Sequence, residues 1–188
     1  MKKYILYAGV NGAGKSTLYQ TTKYKDKMLR INTDEILREF GDWRNISDVM
    51  AAGKIAVKRM KQYFADGVTF NQETTLCGKS AINSILKAKE LGYIIELHYI
   101  GVDSVDIAKK RVQDRVEAGG HGIPEEDVER RYEESFRNLS IIIPYCDLVA
   151  LYDNTSQFRR FIIIKQGRVA VMSRNVPQWY KTRFDNCI

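Results

Sequence analysis

Residues Gly9 to Thr17 read GVNGAGKST and stand directly behind the apolar run Tyr4 to Ala8. A strand that runs into a glycine-rich turn and then into a helix start leaves few folds open, because the spacing Gly-x4-Gly-Lys-Ser has a mechanical cause. Gly9, Gly12 and Gly14 permit backbone angles that aim successive N–H groups inward, where a phosphate oxygen accepts them. Asn11, Ala13 and Thr17 belong to the same cradle. Lys15 adds a mobile positive charge toward the β- and γ-phosphates, and the Ser16 hydroxyl stands where it ligates Mg²⁺. The loop implies a nucleoside triphosphate, with ATP and Mg²⁺ as the expected ligands. What is done with them has to be read from the rest of the chain.

Apolar runs recur at Tyr4 to Ala8, Met28 to Ile31, Val68 to Asn71, Tyr93 to Gly101 and Leu148 to Tyr152. Between them, Asp48 to Phe64 and Ser80 to Leu91 repeat apolar residues at helical spacing, the first through Met50, Ile55, Val57, Met60 and Phe64. Strands alternating with helices predict an α/β fold with a mainly parallel sheet and helices on both faces. Two further runs, Phe161 to Ile164 and Val169 to Met172, flank Gly167 and predict a C-terminal hairpin within about 160–173. The 188 residues carry no linker-like stretch, so a single domain, 1–188, is expected.

In open sheets of this kind ligands gather outside the carboxyl ends of the strands. The second strand ends in Asn32, Thr33, Asp34 and Glu35, and the third in Glu73, Thr74 and Thr75. Asp34 fits two duties. It caps the following helix, a task Thr33 performs equally well, or it orients an acceptor hydroxyl and takes its proton; its strand-end position favours the second. Glu73 and Thr74 fit an acceptor-binding role, Glu73 also Mg²⁺ through water, or else the cap of the next helix.

Arg111 and Arg115 lie one helical turn apart, ahead of the tip Gly119 to Pro124 and of a second helix with Arg130 and Arg131. Two basic helices joined by a glycine-rich tip read as a lid over the triphosphate, spanning about 105–140, whose guanidinium groups offset phosphoryl charge. Val128, Tyr132, Phe136 and Leu139 form one stripe on the second helix. At 100° per residue Arg130 points away from that stripe and Arg131 sits at its edge, so Arg131 is the better phosphate partner. His121, at the tip, fits a phosphate contact or a plain exposed loop residue. Tyr152 to Thr155 fits a turn, or a position beside the nucleotide base.

The net charge of +7 is spread over Lys23, Lys25 and Lys27, Lys54 to Lys61, Lys109 to Arg115 and Arg159 to Arg183. No block resembles a nucleic-acid tail, so nucleic acid is not expected as the main partner. The first ten residues lack the apolar length of a signal peptide, and no stretch is long enough to span a membrane. Cys77, Cys146 and Cys187 have neither disulfide nor metal-ligand spacing, which suits a reducing cytoplasm.

Taken together, GVNGAGKST, Asp34, Glu73 to Thr75 and RVQDRVEAGGHGIPEEDVERRY resemble the zeta toxin family of P-loop kinases over roughly the first 140 residues. The resemblance implies a P-loop kinase-like fold with Lys15 and Ser16 on ATP and Mg²⁺. It also implies Asp34 as base for a sugar hydroxyl, arginines of the 111–131 region on phosphate, UDP-N-acetylglucosamine as acceptor, and an antitoxin as protein partner. Better-studied members carry arginine where this chain has His121. A kinase for another small sugar, a nucleoside or a polynucleotide end is the rival enzyme. A nucleotide-controlled binding module, which needs neither Asp34 nor the arginines, is the rival of a different class.

Overall fold

The computed structural model describes residues 1–22 and 28–184; Lys23, Lys25, Lys27 and Cys187 lie outside the described residues. The alternation produces β1 (Lys3–Gly9), α1 (Lys15–Gln20), β2 (Leu29–Ile31), α2 (Thr33–Arg38), α3 (Ile46–Asp66), β3 (Phe70–Thr74), α4 (Gly78–Glu90) and β4 (Ile94–Gly101). The chain continues through α5 (Val105–Glu117), α6 (Glu125–Ile142), β5 (Leu148–Asp153), β6 (Arg159–Lys165), β7 (Arg168–Met172) and α7 (Gln178–Phe184). The seven strands join one sheet in the order β2-β3-β1-β4-β5-β6-β7.

β1 pairs in parallel with β3 on one side and β4 on the other, and β2 and β5 extend the parallel set. The connection after β1 leads toward the β2 edge and the one after the adjacent β4 toward β5, which opens a crevice at the carboxyl ends of these two strands, where the glycine loop lies. β6 and β7 then run antiparallel. Their turn carries Gln166 and Gly167 at φ 48° and 73°, the positive pair that matches the twist of a tight hairpin.

Both faces of β1 are buried, as parallel strands require. On one face Tyr4 meets Phe64 of α3 and Phe70 of β3, and farther along Tyr99 meets Phe136 of α6 and Trp179 of α7. On the other, Tyr7 takes Tyr19 of α1 edge-on and stacks on His98. Each such ring, fully buried, contributes roughly 1.5–3 kcal/mol.

Two details differ from the periodicity. The buried stripe of α3 is Ala52, Ala56 and Met60, while Met50 and Val57 face outward; small residues let this helix lie close, and α2 packs against it. The segment beyond 173 forms α7, which the apolar pattern did not announce. Its Trp179 lies on Gly101, where a Cβ would stand 2.5 Å from the indole Cε2. The stripe Val128, Tyr132, Phe136 and Leu139 is buried as expected. The α5–α6 pair is the crossover from β4 to β5, so its inner faces belong to the core and the tip between the helices is what overhangs the crevice.

Candidate nucleotide and acceptor site

The loop's conformation follows from its glycines. Gly9, Gly12 and Gly14 all take positive φ, and a Cβ on Gly9 would lie 2.2 Å from the Ile100 carbonyl oxygen of β4. Only glycine lets the loop leave β1 that close to its neighbour. Lys15 folds back so that Nζ donates to the Val10 carbonyl at 3.1 Å. Burial lowers its pKa, against the opposing pull of the Glu73 and Asp34 carboxylates. Asn154 Nδ2 donates to the Ala13 carbonyl at 2.9 Å, so the strand-end segment Tyr152 to Thr155 braces the loop from behind.

Glu73 ends β3 beside the loop. The Ser16 hydroxyl donates to its two carboxylate oxygens at 2.8 and 3.1 Å, and Asn32 Nδ2 donates to Oε2 at 3.1 Å. Behind them Arg30 of β2 supplies Nη2 to Glu73 Oε2 at 2.7 Å and Nη1 to Asn71 Oδ1 at 3.1 Å. The guanidinium carbon lies 3.6 Å from the Tyr19 ring centroid. The β2–β3 register explains the grouping: Arg30 is level with Asn71, and Glu73 is the next residue on the same face. Thr74 takes another duty, its Oγ1 accepting the Leu76 N–H at 3.0 Å in the turn after β3.

Asn32, not Thr33, caps α2: its side chain accepts the N–H groups of Asp34 and Glu35 at 3.0 and 3.4 Å. The Asp34 carboxylate is therefore spared the cap, is 43% exposed, and has His121 Nε2 3.6 Å from Oδ1. His121 is no exposed loop residue. Its side chain is only 9% exposed, with the Trp43 ring edge-on at 5.8 Å between centroids. The glycines of the tip are spaced for this: a Cβ on Gly122 would strike Trp43 and Val116 at 2.7 Å, and one on Gly120 would strike Arg115. Beside His121 opens a cleft of about 470 Å³ that Trp43, Arg38 and Arg44 also line.

The arginines separate. Arg111 Nη2 donates to the Thr155 carbonyl at 3.1 Å, leaving Nη1 buried without a partner among the described residues. Arg115 has Nε and Nη2 in that condition, and its charge reaches both Lys15 and His121. Arg130 is turned to solvent, on Asp127 at 2.6 Å and Glu134 at 3.3 Å. Arg131 is half-buried and holds Asp127 at 3.6 Å. The structure thus brings Lys15, Ser16, Glu73, Asp34, Arg111 and Arg115 to one crevice, with Arg131 at its margin. Arg30, Asn32 and Trp43 are the members that local sequence pattern did not reveal.

A family model described as AAA domain, AAA_33, matches residues 5–138. The chain belongs to the AAA_33 family. An uncharacterized protein of Haemophilus influenzae is 35% identical over 130 residues, which is 69% of this chain and 92% of that protein. Among solved structures the AAA_33 chain is similar to one in the AvrRxo1-ORF1:ORF2 complex crystallised with ATP. That similarity has TM-score 0.69 and 14% identity over 91% of this chain and 60% of that one; the native crystal of the complex gives 0.75, 15%, 96% and 63%. The chain therefore spans about three fifths of that neighbour. The PezAT chromosomal toxin-antitoxin system of Streptococcus pneumoniae follows at TM-score 0.59, 17% identity, and 84% and 71% coverage. These likenesses show a P-loop kinase-like fold with a mainly parallel sheet. Among the described residues no helix is long and apolar enough to cross a membrane.

Proposed function

We propose that this AAA_33 chain is an ATP- and Mg²⁺-dependent phosphotransferase whose acceptor is a hydroxyl group of a small anionic metabolite. The observation that carries this reading is the set of buried guanidinium nitrogens without a partner among the described residues, Arg111 Nη1 and Arg115 Nε and Nη2, beside the glycine loop. A buried donor left without a partner costs about 1–3 kcal/mol, more when charged. A site that tolerates three of them is built for an anion of several oxygens, and a triphosphate over Lys15 satisfies them. A mere binding module has no need of Asp34, a carboxylate released from capping and standing across the crevice.

In this reading the acceptor hydroxyl loses its proton to Asp34 as its oxygen bonds the γ-phosphorus and the bond to ADP breaks. Lys15, Arg111 and Arg115 offset the charge on the phosphoryl oxygens, and Arg131 joins them from the margin. Ser16 and Glu73 fit Mg²⁺, which takes hard oxygen donors and keeps several waters; Ser16 would bind it directly and Glu73 through water. When bound, the ion neutralises phosphate charge. The cleft at Trp43, Arg38 and Arg44 suits an acceptor with its own negative charge, and UDP-N-acetylglucosamine is the first to try. A toxin-like member would also have a neutralising protein partner, which co-purification of the tagged chain from its native host tests.

The decisive experiment incubates the protein with ATP, Mg²⁺ and a metabolite pool and follows by mass spectrometry which species gains a phosphate. Asp34→Asn is expected to bind ATP as before and to transfer phosphate at least about 100-fold more slowly. Transfer at the wild-type rate would remove Asp34 from the mechanism.

A further inference from the structure

His121 is held in place with more structure than a loop residue needs. The side chain is 9% exposed although it sits on a glycine-rich tip. Trp43 borders it edge-on, and Gly120 and Gly122 admit Arg115 and Trp43 at distances no larger residue allows. Nε2 points at Asp34 Oδ1 across 3.6 Å, so a closure of about 0.6 Å brings the pair into hydrogen-bond range. His121 itself lines the 470 Å³ cleft.

From this geometry we infer that His121 is a positioning residue for Asp34: its neutral Nε2–H donates to the carboxylate and aims the other oxygen at the acceptor hydroxyl. The inference rests on the phosphotransferase reading above and adds a residue and a pH response to it. The groups that face the imidazole are Asp34 and Arg38 from α2, Arg115 from α5 and Arg131 from α6. Burial lowers its pKa; Asp34 opposes this and the three arginines reinforce it. At neutral pH the ring is therefore uncharged, and it adds no fixed cation to a site already supplied with arginines. As pH falls below the ordinary histidine range the ring gains a proton and becomes a full ion-pair partner of Asp34. Asp34 is then a weaker base, and turnover drops.

Two measurements test this. The chain has only two histidines, His98 and His121, so ¹³C-histidine labelling follows each ring by NMR titration in the nucleotide-free protein. His121 is expected to titrate below the ordinary histidine range, and Asp34→Asn to lower it further, because the stabilising carboxylate is gone. A titration that Asp34→Asn leaves unchanged overturns the pairing. This arm does not depend on the chain being a kinase.

The second arm measures Mg-ATP hydrolysis against pH, with water as the acceptor. His121→Phe is expected to lower kcat about tenfold with the KM for ATP unchanged and to move the acid limb to lower pH, while His121→Gln, which keeps an N–H, recovers most of the rate. In the Asp34→Asn background His121→Phe should cost nothing further. Equal losses in both backgrounds, or an unmoved acid limb, would mean that His121 only props the tip. A wild-type protein that neither hydrolyses Mg-ATP nor phosphorylates any member of the metabolite pool would sink the phosphotransferase reading, while the titration still decides whether the two residues are coupled.

Discussion

Replacing Arg30 by methionine removes the cation that holds Glu73 while keeping most of the side-chain volume. The pair is short and buried, 2.7 Å with side chains 11% and 9% exposed. Breaking a buried pair by deleting one partner costs about 3–5 kcal/mol, because the remaining charge is left uncompensated. The leg to Glu35, whose side chain is 45% exposed, adds no more than about 0.5 kcal/mol. Ser16 and Asn32 still donate to Glu73 in the variant, which places the expected loss at the low end, about 3 kcal/mol. For a chain of this size each kcal/mol moves Tm by about 2–4 °C, so Arg30→Met should melt about 6–12 °C lower by circular dichroism. Adding Glu73→Gln removes the stranded charge and should restore at least about 1.5 kcal/mol in urea unfolding. A fall in Tm of less than about 2 °C, or a double variant that loses the sum of the single losses, would refute the claim that this pair anchors the carboxylate.

Lys15→Ala should weaken Mg-ATP binding about ten- to a hundredfold in calorimetry, the loss of one charge-assisted hydrogen bond; an unchanged affinity would contradict the role given to the loop. Gly101→Ala forces a Cβ to 2.5 Å from Trp179 and should cost about 1–3 kcal/mol, seen as a lower Tm and a changed indole fluorescence; a wild-type melt would show that α7 does not pack as described. Asp147 accepts from the Ile95 N–H at 2.9 Å and from Lys89 at 2.8 Å. Its burial raises the pKa, but these two partners prevail and hold it below the usual carboxylate range. The unfolded chain thus takes up the proton first, so this stabilisation is complete above about pH 4 and is lost as pH falls through the lower folded value. Asp147→Asn should be less stable at neutral pH and lose less on acidification, and parallel acid-unfolding curves for the two proteins would contradict that sign.

How much of this was legible depended on whether a residue's job is local. The glycine loop and the Val128 to Leu139 stripe are shaped within a turn or two of their own sequence, and Asp34 and Glu73 stand at or just past the ends of their strands, so spacing alone placed them at the crevice. The expectation that Arg130 faces solvent and Arg131 lies at the edge of the stripe matches their exposure, 59% against 30%, because burial around one helix is a matter of angle. Asn32 was within reach by the same logic. An Asn directly before Thr, Asp and Glu is a strong cap, and giving it that duty would have released Asp34 without appeal to Thr33.

Arg30 and His121 are different, since their meaning lies in partners distant in sequence. Arg30 looks like a polar interruption in a short apolar run until the β2–β3 register sets it beside Asn71 and, one step farther on the same face, Glu73. His121 looks like a loop residue until the α5–α6 crossover folds the tip back against Trp43 and Asp34. In both cases a charge or an imidazole sits at a place where solvent is largely excluded, and such a group stays there only if a partner across the fold meets it. For Arg30 that partner is present and the network is closed. Arg111 Nη1 and Arg115 Nε and Nη2 have no partner among the described residues, so Arg30 belongs to the frame of the crevice while these nitrogens are what the proposed triphosphate would satisfy.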